Sequence, residues 1–303
     1  MINTKPTVTV GIAAYNEDRN IEYLLKKLLS QNEANYVLKS IVVISDASSD
    51  NTDSIVKYIK DERVALIRNK TRKGQNYSQN YIFKIAESDI VVLFEADTCP
   101  KDGMYIMQLI EPIIGKQKFE YAQGVPEAIE ARTIIEKILF HKIDIFNKLA
   151  KGNMSDDKLF ISGLGGRAFS KKLYKRFKWP KNTPDDMYCF QWCKRNNIKI
   201  CLQHAAICNF RLPQNLKDHL IKMNKVVNGE NKLNKYFPKN KYAENYKVPS
   251  HIMIKYLLYL LFKNPLLFIA VSILKIIEKM YIHNKNFNFL LNNANSTKNL
   301  FRF

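Results

Sequence analysis

At 303 residues and 46% hydrophobic content, the chain suits one large α/β domain, or one domain with an appendage, and has ample material for a core. Its 48 Lys and Arg against 28 Asp and Glu give a formal charge of +20, which asks for nucleic acid, anionic lipid or a phosphorylated substrate as partner. The opening Met1-Ile2-Asn3-Thr4-Lys5-Pro6 leads straight into a strand-like run, so no secretory signal is expected. Five cysteines, Cys99, Cys189, Cys193, Cys201 and Cys208, are odd in number and lack a zinc spacing; Cys189 and Cys193, four apart on an expected helix, read as core thiols of a reducing compartment.

In chain order, Thr7 to Ala13 reads as a first strand. Asn20 to Ser30 carries Ile21, Leu24, Leu25, Leu28 and Leu29 on one helical stripe. Ile41 to Ile44 is a second buried strand, and Ser54 to Ile59 lies in a second helix. Val64 to Ile67 makes a third strand and Gln75 to Ala86 a third helix. Ile90 to Asp97 is an apolar strand ending in two carboxylates, Glu95 and Asp97. Strands alternating with helices imply right-handed crossovers and a doubly wound sheet. The pattern loosens after Asp102, although Ala131 to Ala150 reads as a long helix.

Ligands of open α/β sheets bind outside the carboxyl ends of the strands. Four segments fall there. Glu95 and Asp97, two apart in an extended chain, would face the same side, and hard oxygen ligands suit Mg²⁺ or Mn²⁺ carrying phosphates. A solvated acidic turn is the alternative. Ala13-Ala14-Tyr15-Asn16-Glu17 follows strand one. Ser45-Asp46-Ala47-Ser48-Ser49-Asp50-Asn51-Thr52 follows strand two; capping of the next helix accounts for Asp50 but leaves Asp46 unexplained. Lys73-Gly74 at a helix start offers a cation and close backbone approach to a phosphate, or an ordinary basic turn.

Together these segments resemble the family 2 glycosyltransferases. Ala14-Tyr15-Asn16-Glu17 is similar to the family's P-x-Y-N-E opening. Val42 to Thr52 resembles V-V-V-D-D-G-S-T-D-G-T, with Ser45 in place of the first aspartate. Lys73-Gly74 and Asn80 resemble K-G-x-x-x-A-x-N, and Glu95-Ala96-Asp97-Thr98-Cys99-Pro100 resembles D-A-D-T-x-P with glutamate first. The resemblance covers roughly residues 7 to 230. It implies a GT-A fold, a Rossmann-like mixed α/β sheet flanked by helices. It further implies that Ala13, Tyr15, Glu17, Asp46, Lys73 and Glu95 bind the nucleotide sugar while Asp97 holds Mn²⁺ or Mg²⁺. Glutamate at position 95 keeps the charge of the family's aspartate and adds a methylene.

In the second half, Ile161 to Ser170 resembles the family's acceptor-side segment, with Gly163, Gly165 and Gly166 admitting a sugar near the backbone or serving only as turn residues. Thr183-Pro184-Asp185-Asp186 begins a helix running to about Asn196, with Thr183 as N-cap and Pro184 at its first position. Read alone, Asp186 is a capping acid. The resemblance, which places an acidic pair at this helix start, makes Asp186 the general base with Asp185 beside it on the acceptor side. One base without a covalent intermediate implies inversion. Residues 216 to 229 lack the Q-x-x-R-W of processive members, having Lys222-Met223-Asn224-Lys225-Val226 instead.

The tail from Ile252 to Ile282 is apolar but divided by Lys263-Asn264-Pro265, and neither piece approaches the roughly 20 residues that span a bilayer. With Lys247, Lys255, Lys275, Lys279 and Lys285 around it, it reads as an interfacial or re-entrant helical hairpin on an anionic leaflet, or as a buried pair covering the catalytic domain. The asparagine-rich Asn284 to Phe303 suggests no function.

The expected organisation is a catalytic domain over 1–235, nucleotide half to about 115 and acceptor half 116–235, followed by a helical, membrane-associated tail over 236–303. The expected activity is inverting hexosyl or N-acetylhexosaminyl transfer from a UDP-sugar to a glycan or lipid-linked hydroxyl acceptor, in polysaccharide biosynthesis. The expected location is the cytoplasmic face of the cell membrane, peripheral or monotopic, with no nucleic acid partner. A nucleotidyltransferase would need a glycine-rich loop after strand one, which is missing. A nucleic-acid-binding protein would interleave aromatics with basic residues, whereas here these are dispersed and the strand ends are acidic.

Overall fold

The computed structural model describes residues 5–116, 118–150, 163–238, 250–283, 295–298 and 300. They group into two compact units: Met1–Glu127 with Phe160–Arg211 and Lys298–Phe303, and Ala128–Leu159 with Leu212–Thr297. This grouping differs from a single break at residue 235, because the helix after residue 215 joins the tail helices.

The first unit contains a mixed eight-stranded sheet in the order β3-β2-β1-β4-β7-β6-β8-β5. Its parallel half is β1 (Thr7–Ala14), β2 (Val37–Ser45), β3 (Val64–Arg68) and β4 (Ile90–Glu95), joined by α1 (Ile21–Leu29), α2 (Thr52–Tyr58) and α3 (Gln75–Ile85). The strands are continuous apolar runs because both faces are covered: Val8, Val10, Ile12, Ile41, Val43, Val91 and Val92 have no exposed surface. The predicted α1 stripe is buried through Ile21, Leu24, Leu25 and Leu28. Gly11 lets α3 approach β1, since a Cβ there would lie 2.7 Å from Ile82.

The other strands are β5 (Thr98–Pro100), β6 (Tyr121–Ala128), β7 (Arg167–Ser170) and β8 (Ile200–Phe210); β7 runs antiparallel to both β4 and β6, and β5 antiparallel to β8. Helix α4 (Tyr105–Ile114) buries Tyr105, Ile106, Leu109 and Ile110, and the short α6 (Lys171–Tyr174) follows β7. Helix α7 (Asp185–Arg195) buries Cys189 and Cys193, the expected core thiols.

Two local expectations are corrected. Strand β4 ends at Glu95, and Asp97 lies in the turn after it, closed by the Thr98 hydroxyl donating to the Glu95 carbonyl at 2.9 Å. The same-face argument for Glu95 and Asp97, which needs an extended chain, therefore does not apply. The N-cap of α7 is Pro184, in an extended conformation, rather than Thr183. The Thr183 hydroxyl instead donates to the Pro180 carbonyl and accepts from Asn76.

The second unit holds α5 (Ile134–Ala150), α8 (Leu216–Leu233), α9 (Ser250–Lys263) and α10 (Pro265–His283). The break between the last two falls at Asn264, whose side chain accepts the Leu267 N–H. Tyr256, Leu260, Leu267 and Val271 pack together with Ile138 and Ile145 of α5. A buried His219–Glu278 pair at 2.7 Å, with Lys142 at 3.5 Å from Glu278, ties α8, α10 and α5. Among the described residues no helix is long and apolar enough to cross a membrane. Lys247 and Lys285 lie outside the described residues.

Candidate active site

The strand order reverses between β1 and β4, and there Ala13 is the register partner of Glu95. The loops leaving these two strands therefore flank one crevice, the usual ligand position of such sheets.

The β1 loop is laced to the β2 loop. Asn16, in the left-handed region at φ 54°, donates its backbone N–H to the Ser48 hydroxyl and accepts the Ser49 N–H on its side chain at 2.8 Å. The Glu17 N–H reaches the Thr52 hydroxyl at 2.8 Å and the Asp18 N–H reaches Asp50 at 3.0 Å. Asp50 also accepts the Thr52 N–H at the start of α2, which bears out its expected capping role. Ser45 fits its hydroxyl into the buried interior against Ser48 at 3.0 Å. The polar run Ser45 to Thr52 is thus a scaffold for the Tyr15–Glu17 loop.

Asp46 uses both carboxylate oxygens at once: Oδ1 accepts from the Asn69 side chain and the Lys73 N–H, and Oδ2 from the Gly74 N–H, each at 2.8 Å. It fixes the entry to α3, where Gly74 takes φ 90°, a conformation that favours glycine. Lys73 is joined to Asp46 through its backbone, while its Nζ turns to the Tyr77 hydroxyl at 3.0 Å. The Arg72 guanidinium stacks 3.8 Å over the Tyr15 ring.

At the end of β4, Glu95 receives the Gln75 amide on both oxygens, at 2.8 and 2.9 Å. The same amide contacts Asp185 Oδ2 at 3.2 Å, which also accepts from Gln79 at 2.9 Å and from Arg167 at 2.5 Å. Arg167, on β7 and 1% exposed, lies 3.6 Å from Glu95. This network brings the N-terminus of α7 to the carboxyl end of β4. Asp186 stands in the same first turn and accepts the Met187 N–H at 2.7 Å.

Electrostatics separates these acids. Burial raises the Glu95 carboxyl well above its usual range, and the neighbouring Asp185, Asp97 and Asp186 add to this against relief from Arg167. For Asp185 burial pushes upward too, but Arg167 and the hydrogen bonds from Gln79 and Arg167 outweigh it and hold the carboxyl low. Glu17 is pushed up to about 7 by burial and by Asp97, with Lys298 partly opposing. Carboxyl groups are thus crowded around Asp97. Among the described residues no three His, Cys, Asp or Glu side chains form a metal cage. A divalent ion shared between one or two carboxylates and substrate phosphates needs no such cage.

The expected acceptor-side glycines have a packing reason. A Cβ on Gly165 would lie 2.0 Å from the Gly124 carbonyl oxygen, and one on Gly166, at φ 70°, would lie 2.5 Å from the Tyr105 hydroxyl. That hydroxyl donates to the Gly165 carbonyl. Gly163 begins the 3-10 turn Gly163–Gly165 that leads into β7.

Sequence reasoning named Asp185, Glu95 and the acids around them but missed Gln75, Gln79, Arg167 and Lys298. Gln75 and Gln79 are one turn apart at the start of a predicted helix, which was a usable signal. Arg167 stood directly after the glycines.

A mixed sheet with a parallel 3-2-1-4 half, an acidic turn after β4 and an antiparallel half is the GT-A fold. The sequence profile described as Glycosyl transferase family 2 matches residues 9–199. The chain belongs to that family and is a glycosyltransferase. It is 25% identical over 210 residues, 68% of this chain and 78% of the relative, to the UDP-Glc:alpha-D-GlcNAc-diphosphoundecaprenol beta-1,3-glucosyltransferase WfgD of Escherichia coli. It is 30% identical over 147 residues to the poly-beta-1,6-N-acetyl-D-glucosamine synthase of Staphylococcus aureus, covering 45% of this chain and only 34% of that one. Among solved structures, the mannosyltransferase PcManGT of Pyrobaculum calidifontis, in complex with GDP-Man and Mn²⁺, superposes with TM-score 0.60 at 17% identity, over 91% of this chain and 76% of that one. Glucosyl-3-phosphoglycerate synthase of Mycobacterium tuberculosis, with Mn²⁺ and UDP, gives 0.52 at 13% identity, over 74% and 78%.

Proposed function

We propose that this glycosyltransferase moves a hexose or N-acetylhexosamine, with inversion, from a metal-bound UDP-sugar to a hydroxyl of a glycan or lipid-linked acceptor. The observation that carries the reading is the Glu95–Gln75–Asp185–Arg167 network, which joins the acidic end of β4 to the helix bearing Asp186. In this reading Ala13, Tyr15, Glu17 and Asp46 define the nucleoside side. Asp97, with Glu95 behind it, would hold Mn²⁺ or Mg²⁺, which suits the local crowding of carboxyl groups. A bound divalent ion supplies Lewis-acid stabilisation of the departing diphosphate. Asp186 takes the acceptor proton as the hydroxyl oxygen bonds to the anomeric carbon, and the bond to the diphosphate oxygen breaks with its electron pair on the leaving group. A single displacement inverts the anomeric centre. The deciding experiment incubates the full-length protein with a panel of UDP- and GDP-sugars, Mn²⁺ and lipid-diphosphate sugar acceptors. Metal-dependent release of nucleoside diphosphate with an inverted product is expected; a retained configuration, or no release from any donor, would refute the reading.

The tail supports a lipid-facing role in the same work. Helix α10 exposes Leu266, Ile269, Ile273, Ile276 and Met280 at alternating spacings of three and four, and α9 exposes Ile254, Leu258, Leu261 and Phe262. These stripes lie opposite the one packed against α5, so each helix is apolar on two sides. Lys255, Lys263 and Lys279 are exposed on the same hairpin, a charge pattern complementary to anionic lipid. Replacing Ile269 and Ile273 by Glu should release the folded protein from phosphatidylglycerol vesicles. Unchanged vesicle binding would refute the role of this face.

A further inference from the structure

Among the described residues of the asparagine-rich C-terminal stretch, Lys298 reaches the loop after β1. Lys298 Nζ donates to the Tyr15 carbonyl at 2.6 Å, to the Asn16 carbonyl at 2.8 Å and to Glu17 Oε1 at 2.7 Å. A lysine ammonium has three N–H donors, and all three are used on this one loop. The two carbonyls converge on the cation around Asn16, whose left-handed φ of 54° marks the turn. Two positions on, the buried Leu300 donates its N–H to the Asn20 side chain at 3.1 Å, a second anchor just after the same loop.

We propose that Lys298 is a positioning residue of the donor site, clamping the Tyr15–Glu17 loop in the conformation that receives the nucleoside. The inference rests on the reading of that loop as the nucleoside side. Because its donors are spent on the loop, Lys298 acts through Tyr15 and Glu17 rather than as a phosphate ligand. It also pairs with the Glu17 carboxylate, which is 7% exposed and repelled by Asp97. Without the ammonium, two aligned carbonyls and a buried carboxylate would lose their common partner, and the loop would have to rearrange to hydrate them.

The test uses the full-length protein with UDP or GDP plus Mn²⁺ as probes in titration calorimetry, alongside donor KM, kcat and thermal melting. Lys298→Met should weaken nucleotide binding and raise donor KM by roughly 10- to 100-fold, the scale of lost charge-assisted hydrogen bonds, with kcat changed far less. Lys298→Arg, which keeps the cation, should recover part of the affinity. Leu300→Asp, which undocks the anchor, should repeat the Lys298→Met phenotype. Unchanged affinity in Lys298→Met would overturn the proposal. So would tighter binding, which would make the segment an obstacle in the site. An equal loss of kcat and affinity that merely follows melting temperature in both Met and Arg variants would make Lys298 a structural brace only. If the wild-type protein binds neither probe, the reading of the nucleotide site falls, and the clamp with it.

Discussion

Replacing Arg167 by Met tests the network at the centre of the site. The side chains of Arg167, Asp185 and Glu95 are 1%, 14% and 22% exposed, so the guanidinium is the principal compensation for two poorly hydrated carboxyls. Removing one member of a buried ion pair typically costs about 3–5 kcal/mol, because a charge remains unpaired. Against a typical total stability of roughly 5–15 kcal/mol, that is a large share. The pH dependence separates this from lost packing. In the wild type the low Asp185 pKa contributes stability that is present above its unfolded value of about 3.9 and is lost as pH falls through the folded value. Without Arg167, burial outweighs the remaining Gln79 hydrogen bond on Asp185, so its pKa rises and the sign reverses. The deficit should be full at pH 8 and shrink towards pH 5, where the carboxyl takes up a proton. Urea denaturation of wild type, Arg167→Met and Arg167→Met/Asp185→Asn at both pH values measures this. The second substitution should restore stability at pH 8. A deficit equal at both pH values and unrelieved by Asp185→Asn would mean that the loss comes from packing, such as the guanidinium contact with the Trp179 ring at 5.7 Å, and the electrostatic account would be wrong.

Three further expectations concern the acids individually. Asp97→Ala should abolish transfer and Mn²⁺-dependent nucleotide binding while folding normally; full activity in this variant would remove Asp97 from the metal site. Asp186→Asn should lower transfer by roughly 10² or more with donor affinity retained, the scale of a lost general base. Its control, Asp185→Asn, frees Arg167 and must be compared per folded molecule; equal collapse in both would move the base elsewhere. Glu17, with a folded pKa of about 7 against an unfolded value of about 4.3, holds a proton that the unfolded chain has released, so its contribution is present at low pH and lost as pH rises through 7. Glu17→Gln should flatten the fall of stability between these pH values, and an unchanged slope would contradict the raised pKa.

What could be read from the sequence was what local patterns encode. Continuous apolar runs marked β1, β2 and β4, and the Ile21–Leu28 stripe marked α1, because burial on both faces or on one stripe leaves a periodic trace. Lys263-Asn264-Pro265 marked the break in the tail hairpin for a similar reason. Helix α4 escaped because Pro112, ordinarily a breaker, lies inside it. The acids of the proposed site were legible by their order along strand ends, and the Gln75–Gln79 spacing was visible too, yet which acids those amides meet was not. Gln75 meets Asp185 across 110 positions, and no local spacing records such a bond. The displaced N-cap of α7 has a tertiary origin as well, since Asn76 draws the Thr183 hydroxyl towards another helix. A truncation meant to remove the tail helices would also remove Lys298, so substitutions on the exposed stripes test the proposed lipid-facing role more cleanly.

The Lys298 contacts order events in time as well as in space. Tyr15 and Lys298 are separated by 283 positions. Closing a loop of that length carries an entropic cost of about 5 kcal/mol in a flexible chain, so the contact forms only after the intervening sheet has shortened the path. During synthesis, β1 and its loop emerge on the order of tens of seconds before Lys298 is added. Through that interval the Tyr15–Glu17 turn can have its serine and threonine supports, but it lacks the Lys298 ammonium that pairs with Glu17. The parallel half of the sheet therefore folds around a loop whose Lys298 contacts are the last to form.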